Sequence, residues 1–270
     1  MLTEQQIADF HRLGYLAVDN VADAEDVQRV RELLDPLFAR FHALPANRAI
    51  DLGDERTPQG QLQIAEINRP VHIESRLKQT QAFVRCREIA GQLLRRTAYY
   101  SYDHAIYKPA HNHRATPWHQ DQAYTGHTTP MRTIHFWVAL QDVNELNGCM
   151  QYIPYSHAKG LHPHHHRTAN AHALVADQVD TADAVPCALR AGGVTIHLPT
   201  TLHYSGPNHT DTVRRAWVLL FSPYGRIGLF RPVHLMAKFR TFLKHRAPRM
   251  MPSGKAGQQI AGLRTTSSSQ

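Results

Sequence analysis

Residues 133–153, TIHFWVALQDVNELNGCMQYI, carry the clearest structural signal in the chain. From Thr133 to Leu140 the residue types alternate, and side chains two apart in a β-strand point to the same face. The Asn147-Gly148 pair that follows is a strong signal for a tight turn. The pattern therefore predicts a β-hairpin, with one strand over Thr133–Val143 and its partner over Cys149–Ile153.

Further short strand-like runs lie on both sides of this stretch, from about residue 98 onward. Turn signals such as Gly192-Gly193 and Gly206-Pro207-Asn208 separate them. The runs are Tyr99–Tyr107, Val194–Leu198 and Arg214–Phe221. Many short antiparallel strands at this spacing are typical of a jelly roll or barrel.

The residues before this β-rich part predict helices. Thr3 and Gln6 form a capping box ahead of an apolar stripe, and Asp23 is placed to cap a second, longer helix. A third helix is predicted over roughly 76–95. Short strands are expected at Tyr15–Val18 and Gln61–Ile67.

Helices first and strands second predict a mainly β protein with flanking helices. Its core is expected to be a double-stranded β-helix, or jelly roll, with the N-terminal helices packed outside. We expect one domain over residues 1–250, with a helical part over 1–96 and a jelly-roll core over about 97–225. Residues 251–270, which end in TTSSSQ, are predicted to form a flexible tail.

The composition is that of a soluble globular protein. Hydrophobic residues make up 42% and charged residues 19% of the 270 residues, which excludes a disordered chain. No apolar run approaches the ~18 residues that span a bilayer, and the first residues do not read as a signal peptide. The three cysteines are far apart and form no CxxC pair, which favours a reducing cytoplasm.

The net charge of +8 is concentrated in one segment. Residues 226–270 hold six Arg, three Lys and no acidic residue, a charge of +9, so residues 1–225 sum to −1. A near-neutral body argues against nucleic-acid binding. The basic segment is interpreted as a solvated tail, with a lid or a grip on an acidic ligand as the alternative.

A candidate metal site lies in His119-Gln120-Asp121. On a strand, His119 and Asp121 would face the same side, and together they supply two of the three ligands in the facial triad of non-haem iron(II) oxygenases. Composition alone gives about one His-x-Asp match among the 20 histidines, and the chain has two. The second, His209-Thr-Asp211, lies in GPNHTDT and is interpreted as a polar turn.

Four segments resemble the phytanoyl-CoA dioxygenase family, which includes ectoine hydroxylase and many natural-product hydroxylases. PWHQDQAY (117–124) is similar to the family's metal-binding stretch, and LTEQQIADFHRLGYL (2–16) to its opening helix and strand. The similarity continues through FWVALQDVNELNGCMQYIPYSH (136–157) and LHYSGPNHTDTVRRA (202–216). In consistent order, these segments extend the resemblance over most of residues 2–222.

The resemblance implies a set of roles in an Fe(II)- and 2-oxoglutarate-dependent dioxygenase. His119, Asp121 and His203 would hold the iron. Arg214 matches the family's arginine for the far carboxylate of 2-oxoglutarate, which a guanidinium binds through two hydrogen bonds. Adjacent strand residues face opposite sides, and the family spacing favours Arg214 over Arg215 as the inward one. The other positions that line the co-substrate site in the family are Ser205 and Trp137.

The alternation of the central strand separates a polar face from an apolar one. If Trp137 points inward, so do Thr133 and His135, and such a face suits a wet active site better than a plain core. A hydrogen-bonded core histidine is an equal alternative for His135. The residues expected to pack outward against the helices are Ile134, Phe136, Val138 and Leu140.

Other positions around the predicted cavity have weaker support. Tyr102 and His104 are expected to line the co-substrate cavity from the preceding strand. Lys108 lies near a strand end, before a proline, and is interpreted as a surface charge. The residues expected to contact the substrate are Gln63, Gln122, Tyr124 and His135.

The interpretation is a dioxygenase that uses Fe(II), 2-oxoglutarate and O2 to oxidise an unactivated C–H bond of a natural product or amino-acid-like molecule. Related halogenases carry a small residue in place of the carboxylate, so Asp121 favours hydroxylation, desaturation or cyclisation. We expect a monomer or homodimer with a small-molecule substrate and no nucleic-acid or membrane partner.

Three alternatives stay open. One is a non-catalytic metal carrier built on the histidine-rich loop 162–166, which is otherwise interpreted as a solvated insertion or lid over the barrel mouth. The second is a hydroxylase of acyl-CoA thioesters, whose phosphates would favour the basic segment. The third is a cupin-like isomerase with a different metal, which Arg214 and the SGPN turn disfavour.

Overall fold

Two antiparallel sheets and three α-helices form most of the chain that the computed structural model describes, residues 1–53, 62–125, 131–166 and 173–225. The helices are α1 (Glu4–Leu13), α2 (Ala24–Ala39) and α3 (Gln81–Leu94). The strands of the first half are β1 (Tyr15–Val18), β2 (Ala49–Asp51), β3 (Ala65–Asn68), β4 (Tyr99–Lys108), β5 (Thr116–His119) and β6 (Ile134–Ala139). Those of the second half are β7 (Met150–Tyr152), β8 (His164–His166), β9 (Leu174–Ala176), β10 (Val185–Cys187), β11 (Val194–His197), β12 (His203–Ser205) and β13 (Arg214–Ser222).

The strands connect in jelly-roll fashion. The larger sheet has the order β1-β11-β6-β13-β4-β3-β2 and the smaller sheet the order β10-β7-β12-β5, while β8 and β9 form a separate pair. Strands that follow each other along the chain are mostly not neighbours, because the connections pass from one sheet to the other. The predicted double-stranded β-helix with flanking helices is confirmed.

The helices cover the outer face of the larger sheet. Each begins at a side-chain cap, and in α1 Thr3 and Gln6 form the predicted capping box. The apolar faces of the helices join the sheet in one buried cluster. As predicted, the central strand contributes its outward residues, Ile134, Phe136, Val138 and Leu140.

The inner face of the larger sheet packs against the smaller sheet. Trp137 and Ala139 of β6 belong to a second buried cluster, together with Met150 and Tyr152 of β7. The alternation of residues 133–140 therefore assigned both faces of β6 correctly. The functional side chains described below lie between the two sheets.

The predicted hairpin around Asn147-Gly148 is wrong. β6 pairs with β11 and β13, whereas β7 pairs with β10 and β12 in the other sheet. The turn is instead the point where the chain passes between sheets. Gly148 has φ +79°, and a Cβ there would collide with the carbonyl oxygen of Gly206, so glycine is required for two reasons.

Two predicted boundaries shift for local reasons. The strand expected at Gln61–Ile67 forms at Ala65–Asn68, because the Asp51 carboxylate accepts the backbone N–H groups of Gln63 and Ile64 at 3.0 and 2.9 Å. The helix expected over 76–95 begins at Gln81, where Thr80 caps it.

The predicted strand at Tyr15–Val18 forms as β1, at one edge of the larger sheet, and β2, which the sequence did not predict, forms the other edge beside β3. The predicted domain limit at residue 250 and the tail 251–270 lie outside the described residues, as does the basic segment from residue 226 onward. Among the described residues, no helix combines the length and apolar character needed to cross a bilayer.

Candidate metal and co-substrate site

The three residues predicted to bind iron lie together at the β12–β5 edge of the smaller sheet. His119 ends β5, His203 begins β12, and the two are directly paired across the strands. The Asp121 carboxylate lies 3.6 Å from His119 Nε2 and 3.7 Å from His203 Nε2. One ligand atom from each residue lies within 4.8 Å of the other two, so the three can meet at one cation.

Asp121 reaches this point differently from the prediction. β5 ends at His119, and Asp121 begins a short 3-10 turn that extends to Thr125. The turn is fixed by the backbone N–H of Gln122, which donates to the Pro199 carbonyl at 2.9 Å. The turn, rather than the period-2 facing of a strand, brings the carboxylate beside the imidazole.

Both histidines are held in the tautomer that a metal requires. His119 Nδ1 lies 2.8 Å from the Pro117 carbonyl oxygen, and His203 Nδ1 lies 2.9 Å from the Thr201 carbonyl oxygen. A carbonyl only accepts, so each Nδ1–H donates and each Nε2 keeps its lone pair for a ligand bond. At both positions the acceptor is the backbone carbonyl of the residue two places earlier in the chain.

The charges also fit a divalent cation. Burial, together with the nearby His119, holds the pKa of His203 well below its usual value. Burial works against the charge on Asp121, yet His203, His135 and His119 together hold the pKa of Asp121 well below the ordinary range. Two imidazoles and one carboxylate are the donor set of non-haem Fe(II) sites, so the residues fit that metal.

A buried, unpaired guanidinium lies nearby on the inner face. Arg214 is 1% exposed, and its Nε and Nη1 have no hydrogen-bond partner among the described residues. Its Nη2 lies 3.5 Å from Ser205 Oγ, and the guanidinium lies over the Trp137 ring at 5.3 Å. The structure thus brings together Arg214, Ser205 and Trp137, and burial lowers the pKa of Arg214 to about 10.

The neighbouring Arg215 points the other way, toward α2. Its Nε donates to Asp35 at 3.0 Å, and its guanidinium lies over the Tyr107 ring. The side chain is 25% exposed, in contrast to the buried Arg214. Of the two arginines that strand facing left open, Arg214 is the one turned inward.

Lys108 is not the surface charge that the sequence predicted. It is fully buried and pairs directly with Arg214 across β4 and β13. Its Nζ donates to the Ser205 carbonyl, Ser205 Oγ and the Gly206 carbonyl at 2.9, 3.1 and 2.7 Å. Burial and the nearby Arg214 lower its pKa well below the usual value. Two buried basic side chains lie side by side without a carboxylate among their described partners, which makes a site for an anion.

A signal for Lys108 was present in the sequence. The even-numbered residues of β4 face inward, and they include Tyr102, His104 and Lys108. The structure places His104 Nδ1 3.3 Å from Glu66 on β3. Burial alone would lower the pKa of His104, but Glu66 raises it above the ordinary value.

The residues predicted to contact substrate have different surroundings. Gln122 is buried, and its amide binds Thr125 Oγ1 at 2.9 Å and the Met131 backbone N–H at 2.7 Å. The Tyr124 ring stands edge-on to His119, with centroids 6.2 Å apart. Gln63 is buried beside Asp51. Their roles stay predictions.

His135 and a histidine that the sequence did not single out both touch Asp121. His135 Nδ1 lies 2.7 Å and His197 Nε2 lies 3.2 Å from Asp121 Oδ2. The two histidines are paired across β6 and β11. Strand parity and this pairing could have found His197 only if the order of strands in the sheet had been known.

The histidine-rich segment 162–166 is fixed above the metal strand. Its β8 pairs with β9, and His164 Nε2 accepts the Gln120 backbone N–H at 3.1 Å. The Gln120 side chain, fully buried, binds the His162 N–H at 2.8 Å and the Gly160 carbonyl at 2.8 Å. Within the described ranges, both side-chain groups that could hold a metal include Asp121 and neither includes these histidines.

The fold and the site define a class of structure: a jelly-roll protein whose two histidines and one carboxylate match the facial triad of non-haem iron oxygenases. The phytanoyl-CoA dioxygenase family model matches residues 10–216. The chain belongs to the phytanoyl-CoA dioxygenase family, which confirms the resemblance read from its four segments.

Curated relatives match over part of their length. The chain is 31% identical over 110 residues to phytanoyl-CoA dioxygenase domain-containing protein 1 homolog of Dictyostelium discoideum, which is 38% of this chain and 39% of that protein. It is 35% identical over 109 residues to a probable alpha-ketoglutarate-dependent hypophosphite dioxygenase of Stutzerimonas stutzeri, 38% of this chain and 37% of that one. The chain thus spans about two-fifths of the length of these relatives.

Among solved structures, EvdO2 from Micromonospora carbonacea var. aurantiaca complexed with 2-oxoglutarate is similar over most of its length. The TM-score is 0.69 at 30% identity, and the match covers 82% of this chain and 91% of that one. The jelly-roll fold of this chain is therefore one on which a solved relative holds 2-oxoglutarate.

Proposed function

We propose that this chain catalyses the Fe(II)-, 2-oxoglutarate- and O2-dependent hydroxylation of an unactivated C–H bond in a small molecule. The observation that carries the proposal is that two prepared sites meet on strand β12, which begins at His203 and ends at Ser205, the residue that Arg214 contacts. One is the histidine pair His119 and His203, whose Nε2 atoms face the carboxylate of Asp121. The other is the buried basic pair Lys108 and Arg214, which has no acidic partner among the described residues.

Each group has a distinct task in this proposal. Asp121, His119 and His203 would hold Fe(II), and bound Fe(II) with 2-oxoglutarate supplies the oxidising power needed to break a C–H bond. Arg214 would bind and orient the far carboxylate of 2-oxoglutarate, while Lys108, whose three N–H groups bind Ser205 and Gly206, would hold the strand that Arg214 contacts. Because Arg214 is buried, its hydrogen bonds to an anion are stronger than at a surface. The carboxylate of Asp121 would occupy the position that a halide needs, which favours hydroxylation, or a related desaturation or cyclisation, over halogenation.

The test is conversion of 2-oxoglutarate to succinate by the purified chain with added Fe(II). The sequence offers a matched pair of variants, because the chain has two His-x-Asp motifs. Asp121→Asn should abolish succinate formation, whereas Asp211→Asn, in an exposed residue, should leave it unchanged. Equal effects of the two changes, or no iron-dependent succinate from the wild type, would reject the proposal.

The substrate is proposed to be polar. The inner face of β3 and β4 carries the Glu66–His104 pair and the hydrogen bond between Tyr102 and Asn68, which suit a natural product or amino-acid-like molecule better than an alkyl chain. The acyl-CoA alternative depends on the basic segment 226–250, outside the described residues. Saturation transfer measurements with polar metabolites and acyl-CoA thioesters would distinguish the two.

A cytoplasmic location and a monomeric or homodimeric state complete the proposal. All three cysteines are buried and free, which suits a reducing compartment. Light scattering on the purified chain measures its oligomeric state directly. A higher oligomer would contradict this part of the proposal.

A further inference from the structure

The carboxylate of Asp121 has two partners besides the iron-binding histidines. His135 Nδ1 and His197 Nε2 lie 2.7 and 3.2 Å from the same oxygen, Oδ2. Both imidazoles are buried, with side chains 3% exposed. They come from the paired strands β6 and β11 of the larger sheet, whereas Asp121 follows the smaller sheet. The contact therefore joins the two sheets at the metal site.

Each of these imidazoles has a hydroxyl at its other nitrogen. His135 Nε2 lies 2.8 Å from Thr133 Oγ1, and His197 Nδ1 lies 3.2 Å from the Tyr152 hydroxyl. An ionised carboxylate only accepts, so the nitrogen that faces Asp121 must donate. In a neutral ring the far nitrogen then accepts from the hydroxyl. The Tyr152 hydroxyl also lies 2.7 Å from Thr195 Oγ1, so Thr195 must donate to Tyr152 for Tyr152 to donate to His197. Two chains of the same polarity, hydroxyl to imidazole to carboxylate, then end on one oxygen.

A second metal ion at Asp121, His135 and His197 is the competing explanation, because these three residues also lie close enough to bind one. Ligands about 2.1 Å from one ion and at right angles to each other are about 3.0 Å apart. The 2.7 Å approach of His135 to Asp121 is shorter than that and is ordinary for a charge-assisted hydrogen bond. The geometry favours hydrogen bonds.

We infer that His135 and His197 are positioning residues that hold Asp121 by Oδ2, which also lies 3.7 Å from His203 Nε2, and so direct Oδ1, 3.6 Å from His119 Nε2, toward the metal. The inference rests on the proposed function for its metal but assigns roles that the family resemblance does not. It also gives His135 a task other than the substrate contact that the sequence predicted. Without the two donors, the carboxylate is free to rotate and to bind through both oxygens.

The test measures metal binding without turnover, by titrating the full chain with Co(II) and recording heat and the visible spectrum. His135→Leu and His197→Leu should each raise the Kd for Co(II) about 10- to 100-fold, the usual effect of removing a hydrogen-bond partner of a metal ligand. His113→Leu, in an exposed histidine, is the control and should not change it.

Rescue by amides gives a sharper criterion, because the donors sit on different ring atoms. An Asn amide can replace an Nδ1 donor and a Gln amide an Nε2 donor. His135→Asn and His197→Gln should therefore bind Co(II) within a few-fold of wild type, whereas His135→Gln and His197→Asn should not. This comparison also decides the matter if the leucine variants do not fold.

Several results would overturn the inference. Folded leucine variants that bind Co(II) as tightly as wild type would do so, as would amide variants that do not differ by position. Two equivalents of Co(II) in the wild type, with one lost in His135→Leu, would identify a second metal site instead. Because Co(II) binding requires no catalysis, failure of the proposed reaction and failure of the positioning role give different results.

Discussion

Replacing Arg214 by lysine isolates the part of co-substrate binding that depends on the shape of the guanidinium. Its Nε and Nη1 are the two buried donors without a partner in the described structure, and they lie in one plane. A carboxylate can accept from Nη1 and Nη2 together, or from Nε and Nη2 together, whereas an ammonium keeps the charge but offers only one such bond. One charge-assisted hydrogen bond is worth about 1.5–3 kcal/mol. At about 1.4 kcal/mol per factor of ten, the Kd for 2-oxoglutarate should rise about 10- to 150-fold.

The assay is calorimetric titration of the Co(II)-loaded chain with 2-oxoglutarate, together with the KM for 2-oxoglutarate in succinate formation. Arg215→Lys is the control, because that side chain makes a partly exposed pair with Asp35. Such a pair is worth about 0–1 kcal/mol to stability and does not face the site. If Arg214→Lys binds 2-oxoglutarate as wild type does, or if both variants weaken it equally, the assignment of the buried arginine is wrong.

Four other predictions test the wider structure. Lys108→Met should flatten the pH dependence of the free energy of unfolding of the metal-free protein. Burial lowers the pKa of Lys108 in the folded state, so the wild type gains stability as the pH rises toward the unfolded pKa of 10.5. Urea titrations at pH 7.5–10 should show a smaller gain in the variant. Phe136→Ala should lower the free energy of unfolding by about 3–5 kcal/mol in the same assay, since this ring is buried beneath the helices. Gly148→Ala should lower the free energy of unfolding by at least about 1 kcal/mol because of its positive φ. Gly160→Ala is the comparison, because Gly160 also has a positive φ but has open space where a Cβ would lie, so the difference between the two variants measures the steric collision at Gly148. Gln120→Ala should speed amide hydrogen exchange across 160–166 while leaving that of β13 unchanged, and equal exchange in both would contradict the anchoring role.

The sequence predicted most where one strand carries two different chemistries. On β6, Trp137 and His135 alternate with Phe136 and Val138, and the two faces are buried against different partners. Because a shift of one residue would exchange the two faces of β6, the alternation alone was sufficient to separate them. The remote ligand His203 could be identified only through the family resemblance, because no local pattern connects it to His119.

The errors share one physical origin, which is that local sequence does not specify the sheet to which a strand belongs. Asn147-Gly148 has the chemistry of a hairpin turn, yet the strands on either side of it pair in different sheets. Lys108 was assigned to the surface because the acceptors that make its burial possible, at Ser205 and Gly206, lie far along the chain. His197 was overlooked for the same reason.

The tripeptide His119-Gln120-Asp121 contacts both the candidate metal site and segment 160–166. Its outer members belong to the candidate metal site, while the side chain of the middle residue is hydrogen-bonded to Gly160 and His162 of the segment that begins at Gly160. A displacement of this segment would therefore act on the backbone of Gln120, which lies between the two ligands His119 and Asp121. Movement of segment 160–166 and the geometry of the metal ligands are therefore coupled through Gln120. A metal bound by His119 and Asp121 would report on the position of this segment.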